Sequence, residues 1–190
     1  MSASPAKRAN VKATGEEAAN TAAAAEEEGV SPRPGVPPQW ARNIAKVLFD
    51  EATIQGRVRE LARDISASYG PEDDVVAVGL LNGAVIFMTD LVRHLTVPYV
   101  MDFMAVSSYR GTSSTGSVQV KKDLSLDPTD KHLLIVEDIV DSGATLAWLR
   151  NYLLTKRCRS VKVVCLLDKK VGRKQSHANV VVDFVGFECP

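Results

Sequence analysis

Short apolar runs alternate with stretches of helical spacing along most of the chain. Over residues 53–69 apolar positions recur every three or four residues, which predicts an amphipathic helix ended by Gly70-Pro71. Residues 75–81 are continuously apolar, as is typical of a strand covered on both faces. The pattern predicts further helices over 85–95 and 146–153, and strands over 99–106, 133–136, 161–167 and 180–187. Such alternation favours an α/β fold, a mainly parallel twisted sheet with helices on both faces.

Residues 1–38 differ from the rest in composition. They contain four consecutive alanines, an acidic run at Glu26–Glu28 and several prolines, but few large apolar residues. Because such a stretch cannot bury enough apolar surface to offset its ordering entropy, we predict a disordered low-complexity tail over 1–38 and one folded domain over 39–190. Basic residues precede the acidic ones in this tail, so organelle targeting stays open, although the acidic run argues against a transit peptide.

The charge balance excludes some kinds of partner. Lys and Arg together number 23, as do Asp and Glu, so the formal net charge is zero. A protein that binds nucleic acid or anionic membranes without sequence preference needs surplus positive charge. No apolar run reaches the roughly 18 residues of a membrane span. We therefore expect a cytoplasmic protein without a nucleic-acid or membrane partner.

The segment that follows the strand over 133–136 carries the candidate chemistry. The strand leads into Glu137 and Asp138, then Asp141, and then a helix that opens with small residues. Small side chains let the backbone close around an anion, and free N–H groups at a helix start favour negative charge there. The segment therefore predicts a phosphate-binding turn, formed by Ser142, Gly143, Ala144 and Thr145.

Two acids beside a phosphate site need an explanation, because like charges repel. Glu137 and Asp138 fit a ligand that also carries vicinal ribose hydroxyls, bound directly or through water on Mg²⁺. A solvated loop followed by an ordinary helix cap is the usual explanation for each feature alone. The ordered combination instead favours a phosphorylated ribose at the carboxyl end of a parallel strand, where open α/β sheets usually bind ligands.

The string from Val136 to Thr145 resembles the motif with which type I phosphoribosyltransferases bind phosphoribosyl pyrophosphate (PRPP). Flanking segments narrow the resemblance to the hypoxanthine-guanine phosphoribosyltransferases. These segments are Leu81-Asn82-Gly83, Ser107-Ser108-Tyr109, Leu166-Leu167-Asp168-Lys169 and Gly186-Phe187-Glu188-Cys189-Pro190. The resemblance covers about residues 47–190. It implies the type I phosphoribosyltransferase fold and a reaction of purine salvage, in which PRPP and hypoxanthine or guanine give IMP or GMP and pyrophosphate.

The resemblance also implies residue roles and partners. Asp141 matches the catalytic acid that takes the proton from purine N7, and Glu137 and Asp138 match the ribose-side acids. Mg²⁺ is the implied cofactor, held near these two acids through ribose hydroxyls or water. Lys169 matches the lysine that donates a hydrogen bond to the purine 6-oxygen. The implied assembly is a homodimer or homotetramer.

Further matches concern the leaving group. Leu81, Asn82 and Gly83 match a pyrophosphate-binding loop that can hold a cis peptide in the family. Many relatives carry Lys where this chain has Asn82, which removes a positive charge near the pyrophosphate. Arg173 matches a downstream basic position near the pyrophosphate. Ser107, Ser108 and Tyr109 match the start of a flexible loop that closes over PRPP and excludes water.

Two alternatives stay open at this point. A preference for xanthine is one, and a non-catalytic regulator that senses PRPP is the other. The family continues beyond the Glu188-Cys189-Pro190 position into a segment that contacts the purine, whereas this sequence ends there. We therefore expect an incomplete hood region, and a chain that binds PRPP better than purine and turns over slowly.

Overall fold

The computed structural model describes residues 36–41, 43–108, 118–169 and 181–189. The chain divides into two compact units, residues 1–51 and 52–190. In the first unit, Pro38–Trp40 forms a 3-10 helix, and the amide of Asn43 donates to the carbonyl of Trp40 at 2.9 Å. Most of the predicted tail lies outside the described residues.

The second unit is built around one mixed sheet. The elements are α1 (Glu51–Ala67), β1 (Val75–Leu80), α2 (Val85–Val92), β2 (Tyr99–Ser108), β3 (Val118–Lys122), β4 (His132–Val140), α3 (Ala144–Leu154), β5 (Ser160–Lys169) and β6 (Phe184–Cys189). The order of the strands among the described residues is β3-β2-β1-β4-β5-β6, and every pairing is parallel except that of β2 with β3. This arrangement confirms the predicted α/β fold with a mainly parallel sheet.

Apolar cores lie on both faces of the sheet. Val75 and Ala77 of β1 pack in one core with residues of α1 and α2, whereas Val76 and Val78 pack in the other with α3. All six residues of β1 are buried. The continuous apolar run in the sequence therefore reflects a strand whose successive side chains enter two different cores.

The structure corrects several boundaries. Strand β3 was not predicted; its alternation of half-buried Val118 and Val120 with exposed residues is typical of a strand with one solvated face. Strand β4 continues to Val140 because its later residues still pair with β5. Helix α2 ends at Val92. After it, the amides of His94 and Leu95 donate to the carbonyls three residues earlier, which forms a tight turn. Strand β5 reaches Lys169, and β6 begins at Phe184 instead of residue 180.

Asp123, just after β3, ties that strand to α3. Its Oδ2 accepts hydrogen bonds from Tyr152 Oη at 2.5 Å and from Lys156 Nζ at 2.7 Å. Trp148 stacks on Tyr152 with ring centroids 5.1 Å apart. These contacts hold α3 against the antiparallel edge of the sheet. Within the described ranges, none of the helices is both long and apolar enough to cross a membrane.

Candidate active site

A cavity of about 260 Å³ opens at the carboxyl edge of the parallel strands. Strands β1 and β4 are neighbours in the sheet, so the residues that follow each of them meet at this edge. The cavity brings together predicted residues from two distant parts of the chain. It is lined by Leu80, Leu81, Val106, Glu137, Ile139, Val140, Asp141, Ser142, Gly143, Thr145 and Leu146.

The turn between β4 and α3 has the geometry of an anion cradle. Gly143 has φ 76°, in the left-handed region that favours glycine, and it forms the N-cap of α3 without a side-chain capping hydrogen bond. The hydroxyl of Ser142 lies 3.4 Å from the amide of Ala144, a long contact. The first amides of a helix have no intrahelical acceptor, and Gly143 and Thr145 line the cavity, so a phosphate oxygen bound there can accept from this turn.

Glu137 and Asp138 form an acid pair within β4, since β4 extends past both. Burial raises the pKa of Glu137 to about 8, helped by a hydrogen bond with Asp138 and by the charge of that neighbour. Asp138 Oδ1 also accepts a hydrogen bond from the amide of Ile139 at 2.9 Å. Near neutral pH Glu137 therefore keeps its proton, which a bound cation would displace.

The loop after β1 packs directly on this acid pair. Its Leu81–Asn82 peptide bond is cis, and the amide of Leu81 donates to the carbonyl of Met104 at 2.9 Å. A methyl group added at Gly83 would lie 2.7 Å from the carboxyl carbon of Asp138. Any larger residue at this position would force the Asp138 carboxylate to shift, so glycine lets the loop approach the acid pair closely.

Asp141 and Lys169 meet across two strands. In the β4–β5 register Val140 is opposite Asp168. Asp141 and Lys169, which directly follow these two residues, therefore lie next to each other. Lys169 Nζ lies 3.9 Å from Asp141 Oδ1, and both side chains are substantially exposed. A cationic donor and a carboxylate at this spacing can address two neighbouring polar atoms of one planar ligand.

Several other predicted site residues are not among those that line the cavity. Ser107 and Ser108 belong to β2, where they pair with Gln119 and Val118, so β2 extends into the segment predicted to open the loop. Tyr109 and Arg173 lie outside the described residues. The sequence interpretation missed the apolar lining residues; their position beside the motif was the available signal. They are Leu80, Val106, Ile139, Val140 and Leu146.

A metal site made by the protein alone does not occur among the described residues. No group of three or more His, Cys, Asp or Glu side chains there could hold an ion. The candidate cation ligands are therefore the two adjacent carboxylates, Glu137 and Asp138.

Comparisons with known proteins cover this whole site. Residues 46–188 match the model of the phosphoribosyl transferase domain. A hypoxanthine-guanine phosphoribosyltransferase of Bacillus subtilis (strain 168) is 44% identical over 149 residues, which is 78% of this chain and 81% of that relative. One of Aquifex aeolicus (strain VF5) is 44% identical over 146 residues, 76% and 80% of the two chains. The crystal structure of a Staphylococcus aureus hypoxanthine phosphoribosyltransferase superposes with a TM-score of 0.73 at 37% identity, covering 78% of this chain and 79% of that one.

Proposed function

The chain belongs to the phosphoribosyl transferase family, and we propose that it acts in purine salvage. It transfers the 5-phosphoribosyl group of PRPP to hypoxanthine or guanine, which gives IMP or GMP and pyrophosphate. It is thus a glycosyltransferase of the pentosyl class. The observation that carries this proposal is the convergence at one sheet edge of the acid pair, the glycine turn, and Lys169 3.9 Å from Asp141.

PRPP occupies the side of the cavity formed by β4 and α3. Its 5′-phosphate accepts hydrogen bonds from the amides that follow Gly143, helped by the hydroxyls of Ser142 and Thr145. The ribose lies over Glu137 and Asp138. Breaking the bond at C1 creates an oxocarbenium-like transition state, which negative charge beneath the ring stabilises by several kcal/mol.

The pyrophosphate leaves toward the loop formed by Leu81, Asn82 and Gly83. This loop contacts the Asp138 carboxylate, so it adjoins the ribose site. The roles that we propose for Arg173 and for the segment Ser107-Ser108-Tyr109 rest on the resemblance to the family. The arginine lies near the pyrophosphate, and the segment opens the loop that covers PRPP.

The purine occupies the side formed by β5. Asp141 accepts the N7 proton as the base attacks C1, a general-base role worth about 10²–10⁴-fold in rate. Lys169 donates to the 6-oxygen. Because an ammonium group only donates hydrogen bonds, it favours a 6-oxo purine over the 6-amino group of adenine.

The acid pair fits Mg²⁺ arriving with the substrate. This ion keeps several waters and commonly binds one or two carboxylates together with substrate oxygens. Glu137 and Asp138 supply such a donor set, through ribose hydroxyls or water, and the described residues offer no larger cluster. When bound, Mg²⁺ neutralises charge on the pyrophosphate. The cytoplasm is the proposed location and a homodimer or homotetramer the proposed assembly, which light scattering tests.

Formation of IMP from PRPP and hypoxanthine tests the proposed function directly. In Asp141→Asn we expect turnover to fall about 10²–10⁴-fold, while PRPP affinity measured by calorimetry in the presence of Mg²⁺ stays within about twofold. Guanine and xanthine are assayed in parallel as acceptors. Faster turnover of xanthine than of hypoxanthine and guanine would show that xanthine is the preferred purine. PRPP binding without turnover of any purine would instead identify a regulator that senses PRPP.

A further inference from the structure

Arg57 on α1 holds the backbone of β6 from the side. Its Nε donates to the carbonyl of Gly186 at 2.9 Å and its Nη2 to that of Val185 at 2.8 Å. The remaining nitrogen, Nη1, donates to Glu60 Oε2 at 2.7 Å. A planar guanidinium suits two neighbouring carbonyls, since its donors are fixed in a fork. These two hydrogen bonds join helix α1 to strand β6 across sequence separations of 129 and 128 residues.

The position of β6 needs such support. Strand β6 ends the sheet order among the described residues, so β5 is its strand neighbour there. The register pairs Cys165 with Val185 and Leu167 with Phe187. Between them, a methyl group at Gly186 would lie 3.1 Å from the Leu166 carbonyl carbon, so the two backbones touch. The outward-facing carbonyls of an edge strand have no partner in the sheet, and Arg57 donates to two neighbouring carbonyls of β6.

This anchored part of β6 lies level with the candidate site. Cys165 pairs with Glu137 on one side and with Val185 on the other, so the anchored carbonyl belongs to the same row as the acid pair. Further along, Lys169 pairs with Cys189. The end of β5 that carries Lys169 is therefore held between β4 and a strand that Arg57 keeps in register.

We propose that Arg57 is a positioning residue for the purine side of the site, acting through β6 and β5 on Lys169. The proposal rests on the function proposed above. Arg57 is not among the residues that line the cavity, and its bonds go to β6 and Glu60. The PRPP side is carried by β4 and α3, so loss of Arg57 weakens purine recognition and spares PRPP binding.

Steady-state kinetics with both substrates test this split. In Arg57→Ala we expect KM for hypoxanthine to rise about tenfold or more and KM for PRPP to change by less than about twofold, because misplacing one contact residue affects mainly its own ligand. For Arg57→Lys, the KM for hypoxanthine should lie between those of the wild type and of Arg57→Ala, since a single ammonium is a poor substitute for a fork that spans two carbonyls. Glu60→Gln is the matched control and should behave as the wild type, because both bonds to β6 remain.

Amide hydrogen exchange gives a second measurement that does not need activity. Arg57→Ala should exchange faster than the wild type over residues 184–189 and 167–169. Equal rises in both KM values, or faster exchange with an unchanged KM for hypoxanthine, would overturn the positioning role. If the wild-type chain forms no IMP, the proposed function fails; unchanged exchange over residues 167–169 in Arg57→Ala would then refute the inference by itself.

Discussion

Glu137→Gln measures how much stability the protein gives up to keep its acid pair. Burial, aided by Asp138, raises the Glu137 pKa from 4.5 to about 8. Between these two pH values the folded protein holds a proton that the unfolded chain has released. Stability falls with rising pH wherever the folded state binds more protons, so the free energy of unfolding should decrease from about pH 4.5 to about pH 8.

The magnitude follows from the size of the pKa difference. Each pKa unit corresponds to about 1.4 kcal/mol, so the full loss is about 5 kcal/mol, of which about 3 kcal/mol has accrued at pH 7. Glutamine resembles the protonated acid and does not titrate. Glu137→Gln should therefore match the wild type near pH 4.5 and exceed its stability by about 3 kcal/mol at pH 7.

Urea unfolding followed by circular dichroism at several pH values from 4.5 to 8.5 provides the measurement. Glu72→Gln, which removes an exposed loop glutamate before β1, controls for the loss of an acid. The same Glu137→Gln protein should bind PRPP and Mg²⁺ more weakly. A stability difference that stays constant with pH would refute the reasoning. A gain in stability together with a loss of affinity would show that the acid is kept for function.

Three further substitutions probe other parts of the molecule. Gly83→Ala places a methyl group against the neighbouring carboxylate, so calorimetry should show about tenfold weaker PRPP binding; Gly56→Ala, with open space around it, is the control. Lys169→Met should raise KM for hypoxanthine about tenfold and spare PRPP affinity, because it removes one charged hydrogen bond. Asp123→Asn should lower the free energy of unfolding by about 1 kcal/mol at pH 7, since solvent screens part of its interaction with Lys156.

The Asp123 effect has a defined pH dependence. Burial would raise its pKa, but the hydrogen bonds from Lys156 and Tyr152 outweigh that effect and lower it. The stabilisation is therefore complete above the unfolded value of 3.8 and disappears as the pH falls through the lowered pKa. An Asp123→Asn difference that persists in acid would contradict this account. Wild-type PRPP affinity in Gly83→Ala, or lost PRPP affinity in Lys169→Met, would contradict the other two.

The local sequence was enough for the parts of this protein that lie within one contiguous segment. The run 75–81 predicted a strand covered on both faces, because successive side chains of β1 enter cores on opposite faces. The turn before α3 was equally predictable, since the conformation of Gly143 and the start of α3 depend on adjacent residues. Its role in binding phosphate stays a prediction. The resemblance of residues 136–145 to a family motif rests on the same short string.

Features that depend on register between distant segments needed the folded molecule. Strand β3 is short and one of its faces is solvated, so its hydrophobic pattern in the sequence is weak. That Lys169 comes within 3.9 Å of Asp141 follows from the pairing of β4 with β5, which no local pattern specifies. The pKa of Glu137 depends on burial by several elements at once. Arg57 looks like an ordinary helix surface residue until β6, far along the chain, is placed beside it.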